Sequence, residues 1–232
     1  MEVWAEPRTS ALEYDEGLRK YMLQVYNYMT FALAVSGLVS IGISSSSAAM
    51  AFIWGTWFKW VAIFLPLGIS LLFIGVIGNM NASGAKVFLM VFAAAMGLSL
   101  SSIFAIYTSA SIAQVFFISA ATFGAASLYG YTTKKDLTTF GSFLIMGALG
   151  LVIAGVVNLF LQSSVFAFAI SCLGVLIFTG LTAYDTQEIK ETYDGTFGDE
   201  REKAGVIGAL QLYMDFINIF VSLLQLLGDK KE

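Results

Sequence analysis

The stretch from Ala209 to Leu227 is long and apolar enough to cross a bilayer, yet it carries Gln211, Asp215, Asn218, Ser222 and Gln225. Their spacing of 4, 3, 4 and 3 residues puts all five on one face of a helix. An aspartate at the centre of a membrane helix costs about 2.5 to 3.5 kcal/mol on insertion scales. Such a helix does not turn that face to lipid. It sits inside a bundle, with the polar stripe against protein or a wet cavity. Other apolar helices therefore have to surround it.

The rest of the chain supplies them. Of its 232 residues 58% are apolar and 12% charged, against about 25% charged in soluble domains. The charges cluster between long apolar runs, which makes this a polytopic membrane protein. Spans are expected at about Met22–Ile43, Trp60–Gly78, Ala85–Tyr107, Ser111–Tyr131 and Phe140–Leu161. A sixth runs from about Val165 past Asp185 to Tyr193, and the last helix makes seven. Residues 1–20 form an acidic segment (Glu2, Glu6, Glu13, Asp15, Glu16), and 21–232 a seven-helix transmembrane domain. A serine-rich loop with the interfacial pair Trp54 and Trp57 follows the first span. Pro66 is expected in the first turns of the second, where its missing N–H costs least. Asn79-Met-Asn81 begins a turn, and 194–205 is a charged loop. The small residues Gly97, Ser101, Ser102, Gly124, Gly147, Gly150, Ala154 and Gly155 suit close helix contacts.

Lysine and arginine set the orientation. Nine lie at the N-terminus and in the second, fourth and sixth connections; the other side has Lys59, Lys230 and Lys231. That bias puts the N-terminus in the cytoplasm. A re-entrant last segment would return Lys230 and Lys231 inside, but its unbroken helical pattern, free of Gly and Pro, favours a full span. The lack of retrieval signals points to a bacterial cytoplasmic (inner) membrane. With no histidine and only Cys172, imidazole chemistry, an intramolecular disulfide and Cys₄-type zinc sites are excluded. No basic, aromatic-laced patch suggests nucleic acid, and no cofactor is expected.

Asp185 lies nine residues before the 194–205 loop and Asp215 ten residues after it. In an antiparallel hairpin, equal counts mean nearly equal depth, roughly 13–15 Å from the helix ends at 1.5 Å per residue. Two carboxylates close together in low dielectric do not readily both ionise; they share a proton and titrate as a pair. Such a pair can sense pH, bind a hard cation with nearby oxygens, or activate water. Gln211 and Asn218, about one turn to either side of Asp215, are expected as partners facing the same cavity.

The runs Ala183-Tyr-Asp-Thr-Gln-Glu-Ile-Lys190 and Ala209-Leu-Gln-Leu-Tyr-Met-Asp-Phe-Ile-Asn-Ile-Phe-Val-Ser-Leu-Leu-Gln-Leu-Leu-Gly228, with Lys134-Lys-Asp-Leu137, resemble the Bax inhibitor-1 family. The resemblance covers most of the chain after residue 20. It implies an all-α membrane protein of seven transmembrane helices, the last central between two three-helix layers. It also implies a pH-sensitive calcium leak, in which Asp185 and Asp215 form the proton-sharing pair, with Ca²⁺ and protons as the species moved. A calcium-leak member of that family carries an acidic residue within helix two and an arginine cluster at its end. Here helix two is uncharged and ends at Asn79-Met-Asn81, a departure from that pattern. The family also contains regulators that bind a protease or a cell-death partner in the membrane, and here segment 1–20 would be the handle. An intramembrane aspartyl protease shares the Tyr184-Asp185 setting but needs Gly-x-Gly-Asp at its second aspartate; Leu212-Tyr-Met-Asp215 blocks that approach. The chain is read as non-enzymatic.

Overall fold

The computed structural model describes residues 11–231 apart from Ile77 and Asn79. Residues 1–10 of the acidic segment, and Asn79 of the expected turn, lie outside the described residues. The helices are α1 (Ala11–Ser44), α2 (Ser47–Gly55), α3 (Phe58–Val76), α4 (Ala82–Leu100), α5 (Ile103–Ile106), α6 (Ser109–Thr132), α7 (Thr138–Leu161), α8 (Ser164–Gly195) and α9 (Gly198–Leu227). Six stretches are long and apolar enough to cross a membrane, or seven when the bent pair α2–α3 counts as one. The starts are written locally. Ser46, Asn81, Thr108 and Ser163 precede α2, α4, α6 and α8, and each accepts a hydrogen bond from a backbone N–H of the first turn.

The last helix is the centre. α9 packs against α1 and α4 on one side and α6 and α8 on the other; α3 lies outside α4, and α7 outside α8. Two groups of three, α1/α3/α4 and α6/α7/α8, therefore enclose it. Its apolar window is 67% buried inside the protein, against 6% to 33% in the other single-helix spans. Leu212, Tyr213, Ile219 and Leu224 of α9 are fully buried, with Val25, Leu89, Phe92 and Val115 from its neighbours. α9 runs 30 residues without a break, about 45 Å, so it spans.

Several sequence expectations are corrected. The broken segment is the second, where α2 and the start of α3 meet at 81° across extended backbone at Thr56. The serine-rich loop is largely the helix α2. α3 begins at Phe58 rather than Trp60, so Pro66 falls inside the helix; the outer position of α3 leaves room for the break in its hydrogen-bond ladder. The expected charged loop 194–205 is helical from Gly198 onward, with Asp199 and Glu200 in the first turn, where acidic side chains favour a helix start. α1 begins at Ala11 and not near Met22.

Glycines set the closest approaches, though not all of those expected. A side chain at Gly97 would run into Ser36 backbone of α1, and one at Gly147 into Ile177 of α8. Gly124, Gly150 and Gly155 have nothing within 4 Å. At the α1–α4–α9 contact, Ser36 Oγ donates its one proton among Ala32 O (3.0 Å), Ala93 O (2.8 Å) and the Tyr213 hydroxyl, 2.6 Å away. Ser36→Ala leaves Tyr213 without this partner in the core. It is expected to lower stability by about 1–2 kcal/mol, read as thermal unfolding in detergent, and Tyr213→Phe on top should cost little more.

Candidate functional site: a buried aspartate pair between the last two helices

α8 and α9 form an antiparallel hairpin with Thr196 and Phe197 between them. Ser171 Oγ donates to Gln225 Oε1 at 2.6 Å. Gly174 faces Ser222, and Ile189 faces Gly208. In this register Asp185 and Asp215 come together. Both are buried, at 8% and 4% exposure, and their carboxyl groups lie within hydrogen-bonding reach of each other. A hydrogen bond between them needs a proton, because an ionised carboxylate only accepts. The Thr182 hydroxyl, which donates to Phe178 O at 2.8 Å, also lies within reach of Asp215. Asp215 Oδ2 is buried without a hydrogen-bond partner among the described residues.

The polar stripe of α9 thus lies along α8, but its members play unequal parts. Ser222 and Gln225 contact α8 away from the pair. Asn218 turns its amide to its own helix, donating to Met214 O at 2.8 Å. Gln211 is half-buried. No hydrogen bond joins either amide to the aspartates among the described residues, and no described cavity has Asp185 or Asp215 in its wall.

Sequence reasoning missed the hydroxyls beside the pair. Thr186, one turn from Thr182, donates to Thr182 O at 2.7 Å and lies 3.1 Å from Ser127 Oγ of α6. Ser127 in turn bonds the Tyr26 hydroxyl of α1. Tyr26 and Ser127 line a groove that ends at Arg19. Ser127 and Thr186 are each spaced from other small or polar residues at helix periods, but serine and threonine abound here, so spacing alone did not single them out.

At the end of the bundle where α8 turns into α9, a second polar cluster ties α9 to its neighbours. Lys86 pairs with Glu202 at 2.5 Å, Tyr28 donates to Glu202 at 3.3 Å, and Ala82 N donates to Asp199 Oδ2 at 3.3 Å. Lys203 Nζ reaches Gly78 O at 3.3 Å. These contacts occupy the end of helix two, where the sequence lacks arginine. Both side chains of the Lys86–Glu202 pair are more than a third exposed, so its worth is about 0–1 kcal/mol. In the α6–α7 loop, the Thr138 hydroxyl and amide hold the Asp136 carboxyl below the usual carboxylate range.

A membrane bundle with its last helix at the centre and two carboxyls meeting between that helix and the one before it defines one specific class of polytopic protein. The family model described as inhibitor of apoptosis-promoting Bax1 matches residues 18–232. The chain belongs to the Bax inhibitor-1 family, whose members are membrane proteins and not enzymes. It is 46% identical over 220 residues to a protein of Rickettsia prowazekii, covering 94% of this chain and 93% of the relative. It is 39% identical over 230 residues to the inner membrane protein YbhL of Escherichia coli, covering 97% and 98%. A Caulobacter vibrioides protein is 42% identical over 232 residues, covering 95% and 93%.

Proposed function

We propose that this protein is a pH-sensitive cation leak, with Ca²⁺ as the cargo, gated by the Asp185–Asp215 pair. The observation that supports this reading best is two buried carboxyls within reach of each other across the interface between the central helix and α8. The pair carries one negative charge with a shared proton and two without it. Loss of the proton sets like charges against each other in low dielectric, and α9 shifts against α8. Among the described residues no third acidic, histidine or cysteine side chain completes a cluster able to hold a metal. Two carboxylates alone suit a cation in transit better than a resident one. Protons and Ca²⁺ compete for the pair, so cation occupancy falls as pH falls.

The reading places the chain in a bacterial inner membrane with a cytoplasmic N-terminus, as the lysine and arginine bias requires. The test is Ca²⁺ flux into liposomes across pH, with Asp185→Asn and Asp215→Asn compared with the parent. The parent flux is expected to change with pH and the variants' flux to be flat over the same range. Parent-like pH dependence in both variants would sink the proposal. The interaction reading loses part of its handle, because residues 13–20 are the first turns of α1. Leu18 is buried, Tyr14 donates to Asp194 at 2.5 Å, and Gly17 sits against the Tyr193 hydroxyl.

A further inference from the structure

A cavity of about 330 Å³ lies between α1, α6 and α9, in the half of the bundle nearest Ser44 and Ile103. That volume is in the range of small-molecule sites. Its walls include Ile41 of α1, Phe104, Phe116 and Phe117, with Phe216 and Phe220 of α9 behind. No charged residue lines it. Its mouth faces the bilayer, since Ile41 is 51% and Phe117 71% exposed. Two serines of α1 enter it one turn apart, and they differ. Ser36 is fully bonded. Ser40 is 3% exposed, and its hydroxyl has no hydrogen-bond partner. A buried hydroxyl without a partner is costly, and here it sits in the wall of a space whose other lining residues are apolar apart from Ser36 and Ser109.

We propose that this cavity binds an aliphatic chain bearing one uncharged oxygen, which accepts the Ser40 hydroxyl. The apolar and aromatic walls take the chain. The absence of any lining charge excludes a carboxylate or phosphate head, which would be buried without a counter-ion. The oxygen fits an ester carbonyl of a glycerolipid or the hydroxyl of a free long-chain alcohol. Because Phe216 follows Asp215 directly, an occupant bears on the helix that carries the pair.

The test uses the full chain in nanodiscs of phosphatidylethanolamine and phosphatidylglycerol, with two photoreactive probes: a diazirine-bearing dodecanol and a glycerolipid with the diazirine near its ester. Mass spectrometry locates the adducts. Gly37 lines the cavity, and a side chain added there meets nothing within 4 Å, so Gly37→Leu fills the space at little cost to packing. Ala113→Leu fills it from α6 and serves if the first variant fails to fold. Labelling of Phe104, Phe216 and Phe220 in the parent, reduced at least tenfold by either filling variant, is the expected result. Ser40→Ala should weaken both probes several-fold and leave a diazirine-bearing hydrocarbon without oxygen unaffected. The probe that labels identifies the source as free alcohol or bilayer lipid. Labelling that is equal in parent and filled variants, or spread evenly onto lipid-facing Phe160 and Val165, overturns the proposal. So does a Ser40→Ala variant that binds the oxygen-bearing probes as the parent does.

Discussion

Gly130→Ala is expected to destabilise the protein by about 1–3 kcal/mol, whereas Gly124→Ala, six residues earlier on the same helix, is expected to be neutral or stabilising. The contrast comes from what each new Cβ meets. At Gly130 it would overlap the Ala183 carbonyl oxygen of α8, with the Ala183 carbonyl carbon at 2.8 Å and Cα at 2.9 Å. These are backbone atoms and cannot rotate aside, so α6 has to move off α8. At Gly124 nothing lies within 4 Å, and alanine gains about 0.8–1 kcal/mol over glycine in a helix interior. The same substitution on one helix thus has opposite signs. Gly130→Val should do more than Gly130→Ala and abolish a monodisperse fold. Thermal unfolding in detergent followed by size-exclusion chromatography reads all three. Because Ala183 is two residues from Asp185, whatever displaces α8 here also moves the carboxyl pair. A Gly130→Ala protein that still folds should therefore show altered pH dependence of flux. Equal melting temperatures for the Gly124 and Gly130 variants would show that α6 and α8 are not in this contact.

How far the sequence revealed these features depended on whether the signal was local or shared between helices. Caps at Asn81, Thr108 and Ser163 are local, and the expected helix starts fall near them, whereas Ser46 caps a helix where a loop was expected. The central place of α9 was legible because Asp215 in an apolar run leaves few alternatives in lipid. Counting outward from the charged loop brought Asp185 to Asp215, although the loop itself is Thr196–Phe197 and not 194–205. From that turn the counts are unequal, ten residues from Asp185 to Gly195 and seventeen from Gly198 to Asp215, and the two meet because of the register of α8 on α9, with Ile189 facing Gly208 and Gly174 facing Ser222. The bend between α2 and α3 was missed although Gly55 directly precedes it, since one glycine among the 22 of this chain does not single out a break. Pro66 misled in the other direction, because a proline in a peripheral helix need not mark its start. Gly97 and Gly124 look alike in sequence and differ only in what lies opposite. The same holds for Ser36 and Ser40, one turn apart on α1: one bonds Tyr213 and the other lines an apolar cavity. Such differences are properties of pairs of helices, and no single segment carries them.

The pair itself gives the second large effect, in how stability changes with pH. A hydrogen bond between the Asp185 and Asp215 carboxyls requires a proton. In the unfolded chain the two are apart, and near neutral pH neither holds one, since ordinary carboxyls titrate at about 4. With the proposed shared proton, the folded protein binds one more than the unfolded chain, and this contribution to stability is expected to decline as pH rises. It is fully present below the ordinary carboxyl range and is lost once the pair gives up its shared proton. Each proton of difference is worth a slope of about 1.4 kcal/mol per pH unit. In Asp215→Asn the side-chain amide donates to Asp185 without any proton being shared, so the slope flattens by up to that amount. Asp215→Leu leaves Asp185 facing hydrocarbon and should be the more destabilised at high pH, where that carboxyl is driven to ionise. Asp185→Asn with Asp215→Asn should show less than the sum of the single effects, with a coupling of about 1–3 kcal/mol. The measurement is a double-mutant cycle of thermal or denaturant unfolding at several pH values. Parallel pH curves for the parent and Asp215→Asn, together with additive single effects, would mean that the two carboxyls titrate independently. A pH response of the flux could then not be routed through their shared proton.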